Sequence, residues 1–197
     1  MDLSPVTPVT DLGCLDSFAL VTYLPESLRL FLDDLRLSLE PNAVSPRAHV
    51  TVLPPRPLAK GATLAQAGNL LAEKLPRTSF EIAVGGVEVF ADTRVIYLAL
   101  DAGWDELQGL HRLLNTGALA AADRFAFHPH VTLAQNLGPA DAAGLAEVAS
   151  AAWARFSGPR RFWVENFTLV QNTTELGWRD LVEYPMLPTP ALPGPIR

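Results

Sequence analysis

Two of the four histidines in this chain stand in nearly the same setting. The stretch "AHVTVL" puts His49 two residues before Thr51, and "FHPHVTLA" puts His130 two residues before Thr132. In a β-strand, residues i and i+2 share a face. Each stretch read as a strand therefore carries an imidazole and a hydroxyl on one side. The other side is aliphatic: Val50 and Val52 in the first copy, Val131 and Leu133 in the second. One His-x-Thr on a strand is ordinarily a polar edge. His-Val-Thr followed by an aliphatic residue, present twice, points to chemistry. An imidazole with a pKa near ~6.5 can be neutral on one strand and protonated on the other. The neutral ring takes a proton from a nucleophile while the charged one gives a proton to a leaving group. Phosphoryl chemistry needs that pair, and it needs donors for the non-bridging oxygens. Thr51 and Thr132 can supply them.

Other residues carry two readings each. Arg47 lies two before His49 and so shares its face, where it binds a phosphate or caps the strand in water. His128 lies two before His130. His-x-His can chelate zinc, but Pro129 between them and the lack of a nearby Cys/Asp/Glu set argue for a pocket rim or a solvent residue. Tyr97, Phe90, Trp163 and Tyr184 are candidates for stacking on a base, and for each alone core packing is the alternative. His111 in "LQGLHRLL" reads as an ordinary helix residue. Cys14 precedes the first strong element. Gly85-Gly86 forms no phosphate-binding loop and reads as a turn.

The elements that must position these groups alternate. "SFALVTYLP" reads as a strand stopped at Pro25. "ESLRLFLDDLRLSLE" follows with apolar residues at helical spacing. "RAHVTVL" is a strand closed by "PPRP", and "ATLAQAGNLLAEKL" is a second helix. "FEIAVGGVEVF" is strand, turn and strand, and "RVIYLALD" is a strand rich in β-branched residues. "WDELQGLHRLLNTGAL" is a third helix, "FAFHPHVTLAQN" the strand of the second motif, and "PADAAGLAEVASAAWARF" a fourth helix. "RRFWVENFTLVQN" and "WRDLVEYPM" close the fold as strands. Each His-Val-Thr strand follows one helix and precedes another, too far apart for a small solenoid repeat. The pattern predicts an α+β fold of two lobes with pseudo-twofold symmetry, in which two antiparallel-type sheets face a cleft and helices lie outside. We expect one domain over residues 1–187 and a proline-rich tail over 188–197.

The chain has 197 residues, 49% hydrophobic and 18% charged, which indicates a globular protein rather than a disordered one. No apolar run reaches the ~18 residues that span a bilayer, so no membrane partner is expected. The N-terminus is acidic and lacks the pattern of a secretory signal. A single cysteine excludes an internal disulfide and fits a cytoplasmic setting. The net charge of −6 argues against binding of a long duplex, and for contact with a small nucleotide or an RNA end. We expect a monomer.

On "RAHVTVLPP" and "FHPHVTLA" the chain resembles the 2H phosphoesterase superfamily, which is defined by two His-x-Thr/Ser motifs. The resemblance is to its bacterial 2′-5′ RNA ligase and 2′,3′-cyclic phosphodiesterase group, and in layout it covers roughly residues 17 to 187. It implies a bilobed α+β fold, hydrolysis or ligation of 2′-linked or cyclic phosphates, and no metal or other cofactor. It makes His49 and His130 the acid–base pair and Thr51 and Thr132 the phosphate clamps. Gln135 stands where some members of the ligase group carry arginine, so the resemblance leaves the substrate open. The alternatives are 2′-5′ ligation of RNA ends and a non-catalytic module that binds a nucleotide or RNA end.

Overall fold

The computed structural model describes residues 14–43, 46–138, 141–174 and 177–188. Among them the chain forms β1 (Cys14–Tyr23), α1 (Glu26–Leu39), β2 (His49–Arg56), α2 (Leu64–Lys74), β3 (Glu81–Val89) and β4 (Ile96–Ala102). It continues with α3 (Trp104–Leu114), a 3-10 turn (Gly117–Leu119), β5 (Val131–Ala134), α4 (Asp141–Arg155), β6 (Arg161–Trp163), β7 (Asn166–Thr173) and β8 (Gly177–Pro185). Two four-stranded sheets result, in the orders β2-β1-β7-β8 and β5-β4-β3-β6, and every pairing between their strands is antiparallel. This is the expected α+β class.

The pseudo-twofold is visible in the strand orders. β2-β1-β7 in the first sheet corresponds to β5-β4-β3 in the second. Each sheet takes its third strand from the other half of the chain. The two motif strands are sheet edges, and β2 and β5 touch where the sheets meet. α3 packs on β2 and α1 on β5. One face of each motif strand feeds this shared core: Val50, Val52, Val131 and Leu133 are each at most 1% exposed. Burying such side chains contributes about 1.5–3 kcal/mol each and fixes the register, because a one-residue slip would drive His49 and Thr51 into the core instead.

Several expectations are corrected. The first motif strand does not stop at "PPRP" but runs through Pro54 and Pro55 to Arg56. An edge strand tolerates proline because it has a side that needs no donors. Gly85-Gly86 is no turn. β3 is continuous, and its register jumps from Val84↔Leu100 to Val87↔Leu98, a bulge. A Cβ on Gly85 would come 2.4 Å from Asp101 Oδ1, so a side chain there would require the Asp101 carboxylate to move. The second motif strand covers only Val131–Ala134. Pro129 can donate no ladder hydrogen bond, and the segment before it is held by side chains of α3. "RRFWVENFTLVQN" is two strands in different sheets, β6 beside β3 and β7 beside β1. The third helix is also shorter than expected, ending at Leu114, and β1 begins earlier, at Cys14. Of the expected tail, residues 189–197 lie outside the described residues. None of the helices described is long and apolar enough to cross a membrane.

Candidate active site

His49 is the first residue of β2, and His130 stands immediately before β5. Both rings are tethered in the same way. Nδ1 of His49 lies 2.7 Å from the carbonyl oxygen of Arg47, and Nδ1 of His130 lies 2.6 Å from that of His128. A carbonyl only accepts, so Nδ1 carries the proton in each neutral ring and Nε2 is the nitrogen left for proton transfer. Thr51 and Thr132 follow one pleat along, both partly exposed. The structure thus brings all four motif residues to the seam between the two sheets.

The approach to each histidine is gripped by a helix. In the first half, Arg36 of α1 donates from a guanidinium nitrogen to Pro46 O at 2.6 Å, and Asp33 accepts from the Ala48 amide at 2.8 Å. In the second half, Gln108 of α3 donates to Phe127 O at 2.6 Å. The Phe127 ring lies flat on His111, centroids 3.9 Å apart, and Trp104 meets His128 edge-on at 4.6 Å.

The electrostatics favour neutral rings. Burial among its neighbours is the main force pushing His49 down to about 4. The Arg47 carbonyl opposes this, and the charges of Arg36 and His130 add to it. The two rings stand at the starts of β2 and β5, the strands that touch where the sheets meet. Burial also lowers His130 and His128. Beside each ring stands a tyrosine that donates to a carboxylate: Tyr23 to Asp180 at 2.6 Å, and Tyr97 to Glu88 at 2.7 Å. Burial, followed by the bond to that carboxylate, pushes both phenols up to about 12.

The other predicted residues are placed as follows. Arg47 pairs with Asp180 and lies over the Tyr23 ring at 3.9 Å, so its guanidinium is engaged within the protein. Tyr97 is buried against Phe90, centroids 4.0 Å apart. His128 shares with His130 a cage of Phe90 and Tyr97. Tyr184 is not brought to the site. It stands opposite the buried Phe167, and its hydroxyl reaches Gly68 of α2. Trp163 sits on β6, the far edge of the second sheet. A cavity of about 500 Å³ between the β3 bulge, α4 and β6 contains none of the predicted site residues.

Sequence reasoning missed three features. Trp178 and Asp180 of β8 reach the first motif, with the Trp178 ring 4.9 Å from that of His49. Two strands separate β8 from β2 in the sheet, so no local signal in the sequence marks this contact. Glu88 lies on β3 beyond the Gly85-Gly86 bulge. His111 is no ordinary helix residue. It is 5% exposed, with Nδ1 2.8 Å from Val52 O and Nε2 2.8 Å from Asp123 Oδ2. Arg56 and Asn115 also bond Asp123, tying β2, α3 and the segment leading to His130 into one polar cluster.

The family model for the 2′-5′ RNA ligase superfamily matches residues 24–175, a span that holds both motifs and the elements that carry them. The chain belongs to that superfamily, the 2H phosphoesterases. No curated protein matches. Solved structures of the superfamily's fold do. E. coli LigT complexed with 3′-AMP aligns with a TM-score of 0.58 at 18% identity, over 86% of this chain and 97% of that one. E. coli LigT complexed with ATP aligns at 0.56 and 20% identity, over 86% and 97%. Kluyveromyces marxianus Usb1 with uridine monophosphate aligns at 0.51 and 11% identity, again over 86% and 97%. At these identities the likeness establishes the fold.

Proposed function

We propose that this protein is a metal-independent phosphodiesterase that hydrolyses 2′,3′-cyclic phosphates of RNA ends or nucleotides, or 2′-5′ phosphodiester bonds. One observation carries the reading: two histidines at the starts of corresponding edge strands, each with Nδ1 tied to the carbonyl two residues back and Nε2 left for the substrate. Two rings tethered alike in matching halves can serve the two sides of one phosphorus, which is the arrangement in-line displacement requires. Superfamily membership and the mononucleotides bound by LigT and Usb1 support a substrate of nucleotide size.

His49, held neutral by its surroundings, is the base, and His130 is the acid. His49 Nε2 takes a proton from water as the water oxygen bonds to phosphorus. The P–O bond to the 2′ or 3′ oxygen breaks, and the His130 imidazolium gives its proton to that oxygen. Thr51 and Thr132 donate to the non-bridging oxygens, where negative charge grows in the transition state. With the hydroxyl of a second RNA end in place of water as the nucleophile, the same groups would ligate.

Incubation with a 2′,3′-cyclic nucleotide and, separately, with 2′-5′ oligoadenylate, resolved by chromatography, tests the reading. We expect ring opening or bond cleavage at an unchanged rate in EDTA. Loss of the rate in EDTA with recovery on adding a divalent ion would overturn the metal-free mechanism. Binding without turnover would leave a nucleotide-binding module.

A further inference from the structure

The carbonyl that orients each histidine belongs to the residue two before it. The carbonyl one residue earlier still, three before the histidine, is also held in both halves. Arg36 of α1 donates to Pro46 O, and Gln108 of α3 donates to Phe127 O, both at 2.6 Å. Pro46 and Phe127 occupy the same offset from His49 and His130. The two donors differ in chemistry, and they come from helices in corresponding places, each between the two strands that flank it in its sheet. A core-packing role would not reproduce a hydrogen bond to the same carbonyl from unlike side chains. We infer that Arg36 and Gln108 are positioning residues: each pins the peptide before a histidine so that the next carbonyl stays in line with Nδ1–H and the ring keeps Nε2 for the phosphate.

The physical step is short. The Phe127 and His128 carbonyls sit on consecutive residues. Freeing the first lets the chain rotate, and the second then swings away from the His130 ring. The ring loses its tether, and with it both its orientation and its enforced tautomer. A displacement of about 1 Å at a reacting group is enough to cost on the order of 100-fold in rate.

Gln108 offers the clean test, because it is only partly buried and lies on a helix outside the motif strands. Gln108→Met keeps the length and removes the donor. Gln108→Arg puts in the donor that the first half uses. Two readouts separate this inference from the proposed activity, on which only the second rests. The first is long-range ¹H–¹⁵N correlation of the histidine rings at a pH where both are neutral, which needs no substrate. We expect wild type to show Nδ1–H for His49 and His130. Gln108→Met should turn His130 into a tautomer mixture with His49 unchanged, and Gln108→Arg should restore the wild-type pattern. The second is turnover: Gln108→Met should lower kcat on the order of 10- to 100-fold with KM within a few-fold, and Gln108→Arg should recover most of it. An unchanged His130 tautomer in Gln108→Met, or a folded Gln108→Arg that behaves like Gln108→Met, would overturn the inference. If the tautomer responds as expected while no variant, wild type included, turns over either substrate, the positioning role stands and the proposed reaction fails.

Discussion

At the scale of single residues, the proposed function separates groups that act from groups that hold. His49→Ala and His130→Ala should each abolish turnover and leave the circular dichroism spectrum unchanged; substantial kcat in either would refute the acid–base pair. Thr51→Ala and Thr132→Ala should cost less, on the order of 100-fold in kcat, as for loss of one donor to a developing charge. The pH dependence follows from the ring environments. The base must be unprotonated, so the acidic limb of kcat/KM tracks His49, which is pushed down to about 4. The acid must be protonated, so the basic limb tracks His130, which burial lowers below the usual ~6.5. The kcat/KM profile of the free enzyme should therefore be a bell with its maximum on the acid side of ~6.5. A bound phosphate favours both charged forms, so the kcat profile should lie at higher pH. A kcat/KM maximum above pH 7 would assign the two limbs to other groups. The placement of the motif residues was legible in the sequence because the period of two in a strand turns spacing into a shared face. The ion pair of Arg47 and the position of Tyr184 were not, because Asp180 comes from a distant strand and Tyr184 reaches α2 from its place on β8.

At the scale of elements, the alternation of strands and helices was legible from apolar periodicity, and its errors share a cause. Pro54 and Pro55 in β2 and the Gly85-Gly86 pair in β3 would ordinarily end a strand, but a sheet edge absorbs the first pair and a bulge the second. Sheet membership was not legible either, since β6 and β7 are nearly contiguous and only their partners separate them. The pairing also explains a misfit. Thr168 of β7 stands opposite Val21 of β1, is fully buried, and among the described residues its hydroxyl has no hydrogen-bond partner. A buried unpaired hydroxyl costs roughly 1–3 kcal/mol. Thr168→Val has the same shape without that group, so it should raise stability by about 1 kcal/mol and Tm by about 2–4 °C, measured by calorimetry. A lower Tm would mean that the hydroxyl is satisfied after all.

At the scale of the whole molecule, the exchange of third strands decides how the chain can be divided. β3 completes the sheet of the second half, and β7 completes that of the first. A chain cut in the exposed β3–β4 turn, between Asp92 and Thr93, should yield two pieces that are each unfolded alone and that regain sheet structure and turnover when mixed. Either piece showing a cooperative melt alone would contradict this. The same exchange bears on ancestry. A single half has a strand to give away and a vacancy of the same shape to fill, so it is complementary to a copy of itself. Before any fusion, two identical short chains embracing in this way would have made one shared pocket with a true twofold axis through it. Each would have contributed one histidine and one threonine. Joining two such chains into one would free the two rings to differ, and an arginine serving the first histidine against a glutamine serving the second is what such divergence would leave behind.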